Sequence, residues 1–459
     1  MLSCHTSARR RSGEGFPEGG EAKKIGIKLE IHPPAYPLSR DAFKRALATG
    51  HGRALIHAQN FDVADYREDL LAAATTCLVY DTQIDGYREW WLARLCKAAG
   101  LIDAIIDLPP EGSAKDRAQR AAILKEFVRM GHRSALPKLY DMCSSDHPSD
   151  EITGCDELIE VDGEQGLIFV AKRLGAMLIR DPDFWIADWE LTFFDERYGE
   201  GRGKAVLSEA ALGDADIQAY LEKIRSYELK EEAGKTARPE AIEPVEQILK
   251  LIKASTKRMS RLRSWGRRAA LKDRAKIVDL LTTEDSPLVL INALLCLRSD
   301  GLPSFDGALL RLVFHADDDV RFEATQVFSR HDEPLVRSAG LALLNQGDLR
   351  SGTQMLRLSA RSADSEAILR AIGANEPGED HHGILSNLIQ LLEENDAIRE
   401  PLIPLHIYEF SPCMLCRERA IEILIKWETC PQWVLDEAAQ DASPDIRSLA
   451  DSNCPPNES

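Results

Sequence analysis

The sequence predicts an all-α protein, and three observations carry that prediction. Between Asp285 and Gln346 four short amphipathic segments follow one another with almost no chain between them, each with apolar residues at three- and four-residue steps. The plan then recurs: Ala293 and Ala324 stand 31 residues apart, and Ala420 and Ala450 stand 30 apart. A spacing of one helical hairpin per period is how stacked repeats bury a core that a single hairpin cannot enclose. Upstream of this stretch the same helical periodicity persists, with strand alternation confined to Ile25, Ile27, Leu29 and Ile31 before Pro33-Pro34 and Pro37 stop it.

Each element has a local reason. Residues 1–24, with Arg9-Arg10-Arg11 and several glycines, contain no apolar signal core and are expected to be a disordered tail. Ser39 caps a helix that ends at Gly50. Segments 67–79 and 84–99 make the first long pair, and 113–130 with 132–143 the next, its first member carrying the stripe Ala121, Leu124, Phe127 and Val128. Asp162-Gly163 and Gly166 read as a loop, followed by a buried helix to Leu178. The charged run 228–246, with Pro239 and Pro244, reads as a linker between an N-terminal helical domain (25–227) and a C-terminal repeat domain (247–453), with 454–459 as tail.

Within the second domain, Asp285-Ser286-Pro287-Leu288-Val289 supplies an Asp cap, a Pro in the first turn and then apolar residues, and Asp317-Asp318-Asp319-Val320-Arg321 repeats the plan. Arg417-Glu418-Arg419-Ala420 and Asp445-Ile446-Arg447 extend it towards the C-terminus. This Asp, Val-Arg and Ala pattern resembles HEAT repeats over Asp285 to Ser452 and thins out before residue 240. The resemblance implies a HEAT-like α-solenoid of antiparallel helical hairpins in two segments, with the motif Asp and Arg bridging neighbouring repeats. It implies an architecture and not an activity.

Composition narrows the function classes. No run of about 18 apolar residues exists to cross a bilayer, so no membrane association is expected. Ten cysteines scattered through the chain, mostly inside predicted helices and among them Cys77, Cys96, Cys143 and Cys296, read as buried thiols in a reducing cytoplasm. The net charge of −18 repels polyanions at long range, which demands a local exception for any nucleic-acid role. Residues 250–276 are such an exception, with eleven Lys or Arg against Asp273. Placed on one helix, Ile252, Met259, Leu262 and Ala269 form a docking stripe opposite Lys250, Lys257, Arg261, Arg268 and Lys272, with Trp265 close to the basic face. That face either is neutralised by the acidic remainder, with 181–200 as a candidate, or binds a polyanion or an acidic partner.

A second candidate is 181–198, where Phe184, Trp185, Trp189, Phe193, Phe194 and Tyr198 interleave with acids. Its rings seal a small core or, through Trp185, Trp189 and Tyr198, form an aromatic groove. Metal chemistry is not expected. Cys413-x-x-Cys416 lacks a second close pair and overlies the repeat's turn, His406 and Cys430 add no regular spacing, and His381-His382 falls in a polar stretch. Gly50-His51-Gly52-Arg53 follows a helix and lacks the partners of a phosphate loop, so it reads as a C-cap and turn. Asp81, Asp85 and Arg88 join two helices with no nucleophile nearby, and catalytic residues are therefore not assigned. The sequence-level expectation is a non-enzymatic binding or scaffolding protein with a protein partner, no cofactor and no assigned oligomeric state. The alternative is a nucleic-acid-binding or nucleic-acid-processing protein that uses 250–276.

Overall fold

A computed structural model describes residues 31–109, 111–144, 152–234, 242–375 and 381–453. Helix makes up 71% and no strand occurs among the described residues, as the periodicity predicts. The proposed strand falls outside them except for Ile31, which packs on a core without pairing. The terminal tails and residues 235–241 of the proposed linker also lie outside. The helix Ala215–Gly234 carries into the segment read as linker, and the next begins at Val245.

Local signals set many of the ends. The Ser39 hydroxyl accepts from Ala42 N–H, and Gly50 closes the helix Arg40–Thr49 in the left-handed conformation (φ 81°) that a side chain would strain. Ser113 and Asp116 form a capping box on Ala114–Arg129. Asp317 caps Asp318–Phe328 by accepting from Asp319 and Val320 N–H, both at 3.0 Å. At the matching position upstream the cap residue is Ser286 rather than Asp285, with Pro287 in the first turn of Pro287–Leu297. Two further expectations need correction. The segment 158–178 is helical on both sides of a single break at Gly163 (φ 56°) inside Cys155–Arg180, and the second of the four segments between Asp285 and Gln346 forms a 3-10 helix, Gly307–Phe314.

The repeat arginines do two jobs. Arg321 and Arg447, which end the matching runs Asp317-Asp318-Asp319-Val320-Arg321 and Ser443-Pro444-Asp445-Ile446-Arg447, each clamp the turn before their own helix: Arg321 donates to His315 O and Ala316 O (2.6 and 3.0 Å), Arg447 to Asp441 O and Ala442 O (2.7 and 3.0 Å). These carbonyls leave a turn with no helical partner, and one guanidinium nitrogen, Nη1, donates to two of them at once. Other arginines reach the next element, as in Arg361 to Asp332 (2.7 Å) and Arg337 to Asp364 (2.8 Å). Arg321 and Arg447 are thus turn clamps, whereas Arg337, of Val336-Arg337, and Arg417 reach an aspartate on another element.

Three hydrophobic cores follow along the chain, the first built mainly on residues 38–224, the second on 245–355 and the third on 344–450. Met414 and Ala442 belong to the first core, which means that late helices dock on early ones. At this seam Ala442 N–H donates to Gly50 O (3.0 Å), and the ring nitrogen Nε2 of His51 lies 2.7 Å from Tyr408 O. Arg53 grips Glu409 with two bonds (2.8 and 2.7 Å) and reaches Glu437 with a third (3.0 Å). Arg94 and Arg447 sandwich the Trp90 ring, 3.8 and 3.9 Å from its centroid. Gly52 sits where a Cβ would come within 1.9 Å of Glu437 O, so only glycine permits the approach.

Candidate functional site

The basic segment is three helices and not one: Val245–Ala254, Arg261–Arg268 and Leu271–Thr283. Ser255 interrupts the first by bonding locally, its hydroxyl donating to Lys257 O at 2.7 Å, the competition with helix that short polar side chains offer. The apolar stripe keeps its inward role, with Ile252 and Leu262 buried and Met259 and Ala269 packed against the second core. Lys250, Lys257, Arg261, Arg268 and Lys272 are exposed. Trp265 is buried and its indole N–H donates to Glu243 O (2.8 Å), so it is part of the core and not a ring offered to a ligand. Gly266 lies where a Cβ would come within 1.9 Å of Cys296 O, which sets that helix directly against its neighbour.

Much of the positive charge is answered inside the chain. Lys253 pairs with Glu284 (3.0 Å), Lys276 with Glu246 (2.7 Å), Arg261 with Glu243 (3.6 Å) and Arg274 with Asp300. The centre of this charge balance is Glu323, which is fully buried. It receives Arg298 on both oxygens (3.0 and 2.8 Å) and Arg258 on one, with Arg263 at 3.6 Å. Arg298 and Arg350 also stand 5.2 Å from the centroid of the adjacent Phe322 ring. These counter-charges come from the repeats themselves and not from 181–200, where the sequence suggested looking.

The aromatic segment divides. Phe194 is buried in the first core and packs on Tyr198 (centroids 4.5 Å), so Tyr198 belongs largely to the sealing function. Trp185 and Trp189 point the other way and are 70% and 67% exposed. Ile179, at the end of the preceding helix, is also exposed. Trp185, in the loop before the helix Trp189–Tyr198, and Trp189, its first residue, thus stand as two exposed indoles, apart from Tyr198 on Phe194.

The seam holds the groups that sequence reading missed. Asp85, buried, accepts from the Met414 N–H at 2.9 Å and thereby caps Met414–Lys426 from a distant part of the chain. Its other oxygen, Oδ2, is buried without a hydrogen-bond partner. Burial first, and then the neighbouring Cys413, push its carboxyl above the ordinary range. Beside it Cys413, Cys416 and His382 converge, all buried, with their donor atoms within 4.8 Å of one another. His382 Nε2 lies 3.4 Å from Cys416 Sγ, and Nδ1 lies 3.1 Å from the Tyr80 hydroxyl. Hydrogen bonds from Cys416 and from His382 hold the Cys413 thiol down to about 4 against the effect of burial. The sequence places His382 in a polar loop, whereas it is the second residue of the helix His381–Glu394 and is buried. A buried position was detectable only in the apolar spacing of Leu385, Leu388 and Ile389 behind it.

Arg417 and Asp441 complete the seam as a fully buried pair at 2.9 and 3.1 Å, with Arg417 also donating to Thr49 O. Arg88 begins its helix with left-handed backbone (φ 57°) and donates to Ala48 O (2.9 Å) instead of pairing with a carboxylate. Burial and the nearby Arg417 lower its pKa to about 10. Burial likewise raises Glu437 to about 7 although Arg53 and Tyr408 both donate to it.

No family model matches the chain, and no curated protein matches it. Among solved structures, the crystal structure of an engineered protein is similar at 13% identity over 90% of this chain and 92% of that one, with a TM-score of 0.20. A superposition that loose transfers neither fold nor function.

Proposed function

We propose that the protein is a non-enzymatic scaffold, a HEAT-like α-solenoid of helical hairpins that presents its surface to a protein partner. The observation that carries this reading is the outward placement of Trp185 and Trp189. Large apolar rings are costly to leave in water, and tryptophan is the residue type most enriched at the anchoring points of protein interfaces. The surrounding Asp181, Asp183 and Asp188 favour a partner that offers an apolar pocket with a basic rim. The basic segment supports this reading by default, since many of its charges are already paired. The eight described cysteines are free thiols, which suits the reducing cytoplasm expected from the sequence. No described helix is long and apolar enough to cross a membrane.

The test is quantitative affinity capture with the wild type, a Trp185→Ala/Trp189→Ala variant and an Arg261→Glu/Arg268→Glu/Lys272→Glu variant. Loss of two anchors should reduce capture of the specific partner by at least about 30-fold, corresponding to a hot-spot effect of about 2 kcal/mol, while leaving the thermal melt unchanged. Capture that survives the tryptophan variant and disappears with the basic one would refute the assignment.

A further inference from the structure

The convergence of His382, Cys413 and Cys416 is not explained by a scaffold surface. The local sequence places two of these groups together by helix geometry alone. Cys413 is the cap residue of Met414–Lys426 and Cys416 lies three residues on, so both sulfurs leave the same side of the first turn. Two thiols at this spacing are half a metal site. The other contribution comes from His382, in the first turn of His381–Glu394, the helix packed alongside. Stacking therefore supplies the third donor, which a search for a second cysteine pair could not find.

We propose that His382, Cys413 and Cys416 bind one zinc ion, with the fourth position filled by water. The donor set is the decisive chemistry: two thiolates and an imidazole suit Zn(II) and exclude the hard cations that take oxygen ligands. Donor atoms within 4.8 Å of one another can close on a single ion by small rotamer adjustments, given Zn–S distances of about 2.3 Å and Zn–N of about 2.0 Å. The imidazole is already oriented for the task. Its Nε2 faces Cys416, and its Nδ1 is held by the Tyr80 hydroxyl at 3.1 Å, the outer-shell contact that fixes a ligating histidine's tautomer and ring plane.

An independent observation is the buried Oδ2 of Asp85. A polar atom without a partner in a buried setting costs free energy, and a cation beside it removes that cost. Asp85 and Tyr80 come from the early part of the chain, whereas the three ligands come from the late helices. A zinc ion here would join two stacked helices and brace the contact between early and late segments. Binding displaces the protons still carried by the two thiols into solvent, and no redox change is involved.

The full-length protein, kept reduced and free of chelator, should be titrated with Zn(II) against a chromophoric competitor and separately with Co(II). The expected result is one equivalent of metal, a thiolate-to-cobalt charge-transfer absorption, and a melting temperature raised by several degrees at roughly 100-fold excess of free zinc over Kd. Cys416→Ser and His382→Gln should each lower affinity by at least about 10-fold, and Cys430→Ser, a half-buried thiol outside the cluster, should leave it unchanged. Circular dichroism of each variant confirms that the helices persist. Failure of the wild type to bind one equivalent, binding that survives both ligand substitutions in folded protein, or a Cys413–Cys416 disulfide as the resting state without added oxidant would overturn the proposal.

Discussion

Arg417→Ala is expected to destabilise the protein by about 3–5 kcal/mol, the largest effect of any single charge deletion in the chain. Arg417 and Asp441 are both 0% exposed and meet through two bonds at 2.9 and 3.1 Å. Taking the guanidinium away leaves a carboxylate in the interior with the Ser443 N–H (2.9 Å) and the more distant Arg88 charge to answer it, and it also removes a donor from Thr49 O in the early part of the chain. The cost is that of an uncompensated buried charge and not the net worth of the pair. Replacing both partners together, as Arg417→Met/Asp441→Leu, should therefore cost less than Arg417→Ala alone. Urea denaturation of the wild type and the two variants measures the difference. Hydrogen exchange should show protection falling in residues 40–60 and 431–450 together, since that pair ties the two segments. A loss below about 1 kcal/mol for Arg417→Ala would mean that the seam is not held as described.

Glu323→Gln is the second large effect, and it acts on charge as much as on stability. The carboxylate is fully buried and answers Arg258, Arg263 and Arg298. The amide retains one acceptor but no negative charge, so three guanidiniums are left to repel one another. The expected cost is about 1–3 kcal/mol, below that of Arg417→Ala because Arg258 and Arg263 can turn towards water. Sulfate should recover part of the loss by replacing the missing anion. Thermal melts at matched ionic strength in chloride and in sulfate give the readout: a sulfate-specific recovery in Glu323→Gln, absent from the wild type, is the expected outcome, and equal responses would contradict the role assigned to Glu323.

The helical class was legible because period and punctuation agree. Ser39 and Gly50 bracket one helix, Ser113 opens another, and Asp317 caps a third, each by chemistry contained within a few residues. The basic segment was misread for the opposite reason. Its charges continue through Ser255 and Ser260 with the same spacing on either side, so periodicity alone reports one long helix where a local serine bond and two chain breaks make three. Trp265 followed that error, since its place beside basic residues in sequence says nothing of the Glu243 carbonyl that its indole meets inside the fold.

The seam was illegible by nature. Gly50 and Ala442, Arg53 and Glu437, Asp85 and Met414 are separated by most of the chain, and none carries a local signal that names its partner. Charged residues such as Arg417 and Asp441 look in composition like ordinary surface residues. The thiol and histidine cluster stood between these cases. Its two cysteines were visible as a spaced pair, and the histidine that completes the set was close in sequence but was read as loop.

On the proposed reading the partner-binding surface is aromatic and the basic segment serves the protein's own balance of charge. Fluorescence anisotropy with labelled single- and double-stranded DNA and RNA at about 50 and 200 mM salt tests it most directly. With Lys253, Lys276 and Arg258 already paired and the remainder of the chain strongly acidic, binding is expected to be weak or undetectable at both salt concentrations. Tight binding that weakens with a log-log salt slope near about −4.5, the signature of five displaced counterions, and that Arg261→Glu/Arg268→Glu/Lys272→Glu abolishes, would contradict it.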